Sequence, residues 1–113
     1  MEDALVDDGR VLRLETRGRT SGLARAVSVG FVAEPDGSVL IAAGSETTAW
    51  ARNLLADPAC RVQLAGRRYE AIAERLDRAD HIRAIRALIL RYGTPSEDLG
   101  RGPSFRLRPL VRD

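Results

Sequence analysis

The sequence predicts a mainly β domain of the α+β class, a small six-stranded barrel with two helices. Its elements run β-β-β-α-β-β-α-β through residues 1–113 as one unit. Three observations carry this expectation. Apolar residues alternate with polar ones in several short segments, the mark of half-buried strands. Glycine-bearing turns separate those segments at hairpin spacing. One longer stretch repeats its apolar residues every three or four positions, as a helix does. At 113 residues the chain has material for one hydrophobic core, and its 44% hydrophobic composition supplies it with few aromatics.

The first ten residues read as a short capping segment. Leu12, Leu14 and Thr16 then alternate with Arg13, Glu15 and Arg17, which gives the first strand one buried face. It ends in Gly18-Arg19-Thr20-Ser21-Gly22, a turn bounded by glycines. A long second strand is expected from Ala24 to Glu34, with Val27, Val29, Phe31 and Ala33 on one side. Glu34-Pro35-Asp36-Gly37 makes a hairpin turn, because proline presets φ and Asp-Gly tolerates positive φ. Ser38 to Ala43 follows as a third strand, apolar enough to be buried on both faces.

Between Gly44 and Asp57 the pattern becomes helical. Thr47 or Thr48 can cap this helix, Trp50 and Leu54 fall one turn apart, and Pro58 stops it. Cys60, Val62 and Leu64 mark a fourth strand, and Ala65-Gly66-Arg67 a turn. Arg68 to Leu76 forms a fifth strand with Tyr69, Ala71 and Ala73 on one face. Asp77 caps a second helix whose stripe is Ile82, Ile85, Leu88, Ile89 and Tyr92, ended by Gly93 and Pro95. Phe105 to Leu110 completes the set as a sixth strand.

Composition narrows the chemistry. All 18 basic residues are arginine. High-GC coding accounts for that preference, yet arginine forks also bind carboxylate and phosphate bidentately. A pI near 9.3 suits a polyanionic ligand without choosing between nucleic acid and a phosphorylated coenzyme. A lone cysteine, Cys60, excludes an intrachain disulfide and a cysteine-based zinc site, and a lone histidine, His81, excludes a histidine-rich metal centre. No signal peptide or membrane span is legible, so a reduced, cytoplasmic protein is expected. His81 is expected to face solvent, Cys60 to act as a small hydrophobe, and no Gly-x-Ser-x-Gly elbow exists. No catalytic side chain emerges, which leaves the hard chemistry to a cofactor.

Three stretches could hold one. In Arg17-Gly18-Arg19-Thr20-Ser21-Gly22-Leu23-Ala24-Arg25, glycines let backbone amides approach an anion while arginines and hydroxyls supply donors; a plain polar hairpin turn reads equally well. Ala42-Ala43-Gly44-Ser45 offers small residues on which a flat ring can lie, or simply a strand-to-helix loop. In Trp50-Ala51-Arg52-Asn53-Leu54-Leu55-Ala56-Asp57-Pro58, the tryptophan is a core anchor or a ligand contact. Asn53 points further, since a mid-helix asparagine usually makes a specific hydrogen bond.

Together these blocks resemble the deazaflavin-dependent nitroreductase family. The matching positions are Gly18 to Gly22, Arg25, Asp36-Gly37, Ala42-Ala43, Trp50, Asn53-Leu54, Ala56, Pro58 and Val62. Thr20 stands where that family commonly has lysine, the loop after Ala43 is shorter, and Ala51 replaces a frequent tyrosine. The resemblance implies a split β-barrel homodimer that uses the deazaflavin coenzyme F-420 to pass a hydride to quinones, nitro compounds or other electron-poor acceptors. It implies that Arg19, Thr20, Ser21 and Arg25, with Arg17 and Gly22 of the same block, hold the phosphate and acidic tail. Ala43, Gly44 and Ser45 would line the ring, with Trp50 and Asn53 fixing that wall, and Ser45 and Tyr92 would touch substrate. A second subunit would close the open side of such a site, with Tyr92 or the Arg101–Phe105 loop reaching across. Two other readings stand beside this one. The same barrel could bind FMN, or it could be a non-catalytic module for a small ligand or single-stranded nucleic acid. The second is disfavoured because five scattered aromatics make a poor stacking platform, so no nucleic-acid partner is expected.

Overall fold

Alternation of apolar and polar residues organises the first strand as expected. Leu12, Leu14 and Thr16 are buried along β1 (Leu12–Arg17), and the residues between them are not. The computed structural model describes residues 2–93 and 99–110. Before β1 lies a short helix, α1 (Glu2–Asp7), where the sequence pattern reads only a capping segment. The rest comprises β2 (Ala24–Val29), β3 (Val32–Ala33), β4 (Val39–Ala42), α2 (Ala49–Ala56), β5 (Ala59–Leu64), β6 (Arg67–Arg75), α3 (Arg78–Tyr92) and β7 (Ser104–Pro109). The Pro95 helix stop lies outside the described residues. Among those residues there are seven strands and three helices, not six and two.

The extra strand arises where a long second strand was expected. Alternation continues through Val27, Val29, Phe31 and Ala33, but the chain turns away from its partner at Gly30 and Phe31. A Cβ on Gly30 would sit 3.0–3.2 Å from the Tyr92 ring, so a side chain there would collide with α3. Tyr92 fixes the bend: its hydroxyl donates to the Arg10 carbonyl at 2.5 Å and accepts from the Phe31 amide at 3.1 Å.

All strands join one antiparallel sheet in the order β2-β1-β5-β6-β7-β4-β3. Its two edges, β2 and β3, are joined by only two residues. Three Cα steps reach at most about 11 Å, so the sheet must curl until its ends nearly meet. The result is a curled, barrel-like sheet with one seam, and buried Phe31 lies on the link between its two edges.

Leu12, Leu14, Ile41, Val62, Phe105 and Leu107 fill the interior. Ala51 and Leu54 bring α2 against it. On the opposite face of β4, Leu40 packs with Leu76 and Ala84 beneath α3. β4 is therefore buried on both sides, as its unbroken apolar run implies. The α3 stripe is less complete than its periodicity promises. Ala84 and Leu88 are its buried residues, while Ile82 and Tyr92 remain exposed, because a short alanine sits where the helix meets the sheet. Asp77 caps α3 as expected, accepting from the Asp80 amide at 2.8 Å.

Two single residues can be assigned. His81 was expected in solvent; instead Nε2 lies 3.2 Å from the Gly100 carbonyl and Nδ1 2.6 Å from Ser104 Oγ. It ties α3 to residues 99–104, a contact that helical periodicity does not encode. Cys60 does behave as a small hydrophobe. Burial, with some help from Asp57, pushes its thiol up to about 12. At pH 8 it should stay unlabelled by a thiol-specific disulfide reagent in the native protein and react only on denaturation. Labelling of the folded protein at the rate of a free thiol would contradict this burial.

Candidate functional site

The loop between β1 and β2 is held shut by its own backbone. The Gly18 amide donates to the Leu23 carbonyl and the Gly22 amide to the Gly18 carbonyl, both at 2.8 Å. Gly22 has φ +72°, a conformation that favours glycine. A Cβ on Gly18 would come within 2.7 Å of Ser21 Oγ and 3.2 Å of the Leu23 carbonyl. Both glycines that bound this turn in the sequence are thus required by its geometry.

Helix α2 reaches this loop through one side chain. Asn53 is 4% exposed, and its Oδ1 accepts from the Arg19 amide at 3.3 Å and from Arg19 Nη1 at 2.9 Å. Its Nδ2 donates to Thr16 Oγ1 at 3.1 Å. The specific bond expected of a mid-helix asparagine is a three-way clamp between helix, strand and loop. The neighbouring turn works differently from the capping expectation. Thr48 stands at the N-cap of α2 as expected, but its Oγ1 makes no capping bond and accepts from the Ser45 amide at 3.3 Å instead.

Between loop, β2 and α2 lies a cavity of about 360 Å³. Gly18, Arg19, Thr20 and Ser21 form one wall, Arg25, Ala26 and Val27 a second, and Ala49, Trp50 and Asn53 a third, with Thr16 at the junction. Pair register explains why Arg25 belongs here. It lies opposite buried Thr16, and directly paired residues share a face. Trp50 is half-buried and tilts 58° against Phe105, ring centres 6.0 Å apart. The lining has two arginines and no carboxylate. Arg19 is bonded to an amide oxygen, and Arg25 has no carboxylate partner among the described residues. The result is a positive hollow with an apolar, aromatic side, suited to a flat molecule that carries negative charge.

Six of the eleven residues suggested for the coenzyme meet in this cavity, together with Gly18 of the same turn: Arg19, Thr20, Ser21, Arg25, Trp50 and Asn53. The other five suggested for the coenzyme do not line it. Arg17 and Gly22 border a neighbouring depression, with Arg17 Nη1 3.4 Å from the Gly22 carbonyl. Ala43 is buried, Gly44 is exposed, and the Ser45 hydroxyl engages Thr47 at 2.9 Å and Thr48 at 3.3 Å. Tyr92 spends its hydroxyl on Arg10 and Phe31 at the barrel seam. Thr16, Ala26, Val27 and Ala49 were not singled out from sequence. Strand alternation from Arg25 to Val27 was the available signal for part of that wall.

Known proteins give this arrangement a context. Similar solved structures include one described as an F420-H2 dependent reductase (FDR-A), 20% identical, with a TM-score of 0.73 over 88% of this chain and 94% of that one. A second is the heme storage protein HutZ from Vibrio cholerae, 21% identical, with a TM-score of 0.70 over 97% and 88%. A third, described as a domain-swapped dimer, is 19% identical with a TM-score of 0.74 over 94% and 92%. At these identities the likeness establishes the fold. No curated protein matches the chain. The family match reaches further: residues 4–96, which contain the loop, β2 and α2 and hence the whole cavity, match the family described as F420H(2)-dependent quinone reductase. The chain belongs to that family, and is a reductase that depends on the deazaflavin coenzyme F-420.

Proposed function

We propose that the protein passes a hydride from reduced F-420 to an electron-poor acceptor, such as a quinone or a nitro compound, and that the Arg19–Arg25–Trp50 cavity is where the coenzyme binds. The observation that carries this reading is the carboxylate-free cavity containing Arg25 without a counter-ion. Its donors fit the group. Arginine forks and the Thr20 and Ser21 hydroxyls suit a phosphate and carboxylate tail, while Ala26, Val27, Ala49 and Trp50 offer a surface for a flat ring. When bound, F-420 supplies the hydride. The chain's own residues bind, orient and shield. Asn53 holds Arg19 in place, so that its charge is organised before the ligand arrives. Trp50 and Val27 exclude water from one side of the ring. No side chain in the cavity is assigned as acid or base.

The cavity is walled on one side by β2, an edge strand that exposes Val27 and, just before it, Leu23. In our reading a second copy of the chain covers this side, which makes the working unit a homodimer.

Trp50 is the single tryptophan of the chain and reports on its own cavity. Titration with F-420 should quench its emission along a saturable curve. Replacing Arg25 with Gln should weaken binding about tenfold or more, as expected for loss of one charge-assisted contact. Replacing Arg52, exposed on α2 and outside the cavity, should change it little. Absence of saturable binding at tens of micromolar, or equal affinity in the Arg25→Gln protein, would count against this site.

A further inference from the structure

On the far side of the Gly44–Trp50 segment lies a second hollow, of about 310 Å³, which shares no residue with the coenzyme cavity. It is bounded by Arg75 at the end of β6, Arg78 at the start of α3, Arg101 from the turn at residues 99–101, and His81. Some arginines elsewhere are matched with carboxylates, among them Arg61 with Glu15 and Glu70, Arg83 with Glu34, and Arg108 with Glu74. Arg75, Arg78 and Arg101 have no ion-pair partner among the described residues. Glu46 and Asp77 border the same hollow, but neither lies within 4.0 Å of these guanidiniums. Asp77 already accepts from the Asp80 amide. Three like charges facing one hollow repel one another, and an anion between them would relieve that repulsion.

The floor is rigid. A carbonyl only accepts, so the bond to Gly100 puts hydrogen on His81 Nε2, and Nδ1 shares a hydrogen bond with the buried Ser104 hydroxyl. The Leu76 amide donates to the Ser104 carbonyl at 2.9 Å. Gly102 presses so closely on the Ala43 carbonyl and the Ser45 backbone that a Cβ would lie 2.5–2.8 Å from them. The arginines therefore project from a fixed frame, which lowers the ordering cost of binding.

We propose that this hollow is a second ligand site, which binds the oxyanion of a small phosphorylated or carboxylated molecule through Arg75, Arg78 and Arg101, independently of the coenzyme. Planar guanidinium forks match both phosphate and carboxylate oxygens.

Backbone amide NMR of the full chain, titrated at constant ionic strength with inorganic phosphate and separately with succinate, tests this. The expected result is a saturable shift shared by Arg75, Leu76, Arg78, Gly102 and Ser104. Saturation by phosphate alone would assign a phosphorylated ligand, and saturation by succinate alone a carboxylated one. Arg78→Gln and Arg101→Gln should each weaken binding about tenfold. Arg86→Gln, exposed on α3 outside the hollow, should leave it unchanged, and so should Arg25→Gln, which separates this site from the coenzyme reading. Shifts that only grow linearly with either anion, or that survive in the Arg78→Gln and Arg101→Gln proteins, would overturn the proposal. So would shifts confined to Arg19–Arg25.

Discussion

Replacing Asn53 with alanine should destabilise the protein by about 2–4 kcal/mol and weaken coenzyme binding at the same time. The side chain is 4% exposed and makes three bonds, so its removal strands several partners at once. Thr16 Oγ1, itself 2% exposed, loses its donor, and the Arg19 amide loses its acceptor. An unsatisfied buried polar group costs about 1–3 kcal/mol. Arg19 is released as well, so the loop no longer holds its charge over the cavity. Asn53→Asp separates the two effects. Its oxygens can still accept from Arg19 and can take the Thr16 hydroxyl hydrogen, so it should fall between wild type and alanine in both stability and affinity. Urea denaturation and the Trp50 titration read these quantities separately. A stability change below about 0.5 kcal/mol for the alanine variant would show that the clamp is dispensable.

Gly102→Ala should cost about 1–3 kcal/mol through overpacking, with its distortion transmitted to Ala43–Ser45. A Cβ at this position would lie 2.5 Å from the Ala43 carbonyl, 2.7 Å from the Ser45 carbonyl and 2.8 Å from the Ser45 amide. All three are backbone atoms, which cannot swing aside as a flexible side chain would. Ala43 is also bonded to Pro103 at 2.9 Å, so neither strand can move without breaking the register of β4 on β7. Gly44 supplies the control. A Cβ there would meet nothing within 4 Å, and Gly44→Ala should stay within about 0.5 kcal/mol of wild type. Thermal melts and amide shifts at 43–48 would distinguish the pair; equal behaviour of the two alanines would contradict the packing described here.

Much of the fold was legible in the sequence because local chemistry and tertiary structure agree. The Asp36-Gly37 hairpin forms as read, with Gly37 at φ +90° and Asp36 accepting from the Ser38 amide at 2.9 Å. The division between β2 and β3 was not legible. Alternation persists across it, and the cause is the Tyr92 ring, 62 positions beyond Gly30 in sequence. Long-range contacts of this kind leave no local pattern. His81 shows the same limit, since its partners lie on residues beyond the end of its own helix. For the candidate site, glycine spacing and the position of Asn53 marked separate blocks, and it was their joint resemblance to a known family that put into one site six of the residues that line the cavity. Ala43 and Ser45 were placed by their position between β4 and α2, and sequence could not show that Gly102 and Pro103 occupy the side they face.

The strand order also dictates a timetable for synthesis. β7 lies between β6 and β4, yet of the seven strands it is the last to be translated. Until residues 104–109 leave the ribosome, the strand that pairs with both β6 and β4 is missing, and each of these two presents an unpaired edge. Such edges invite pairing with other chains. The last strand thus works as a keystone. It converts an adhesive intermediate into a closed wall in one step, and a nascent chain stalled before Ser104 should be the form most in need of a chaperone.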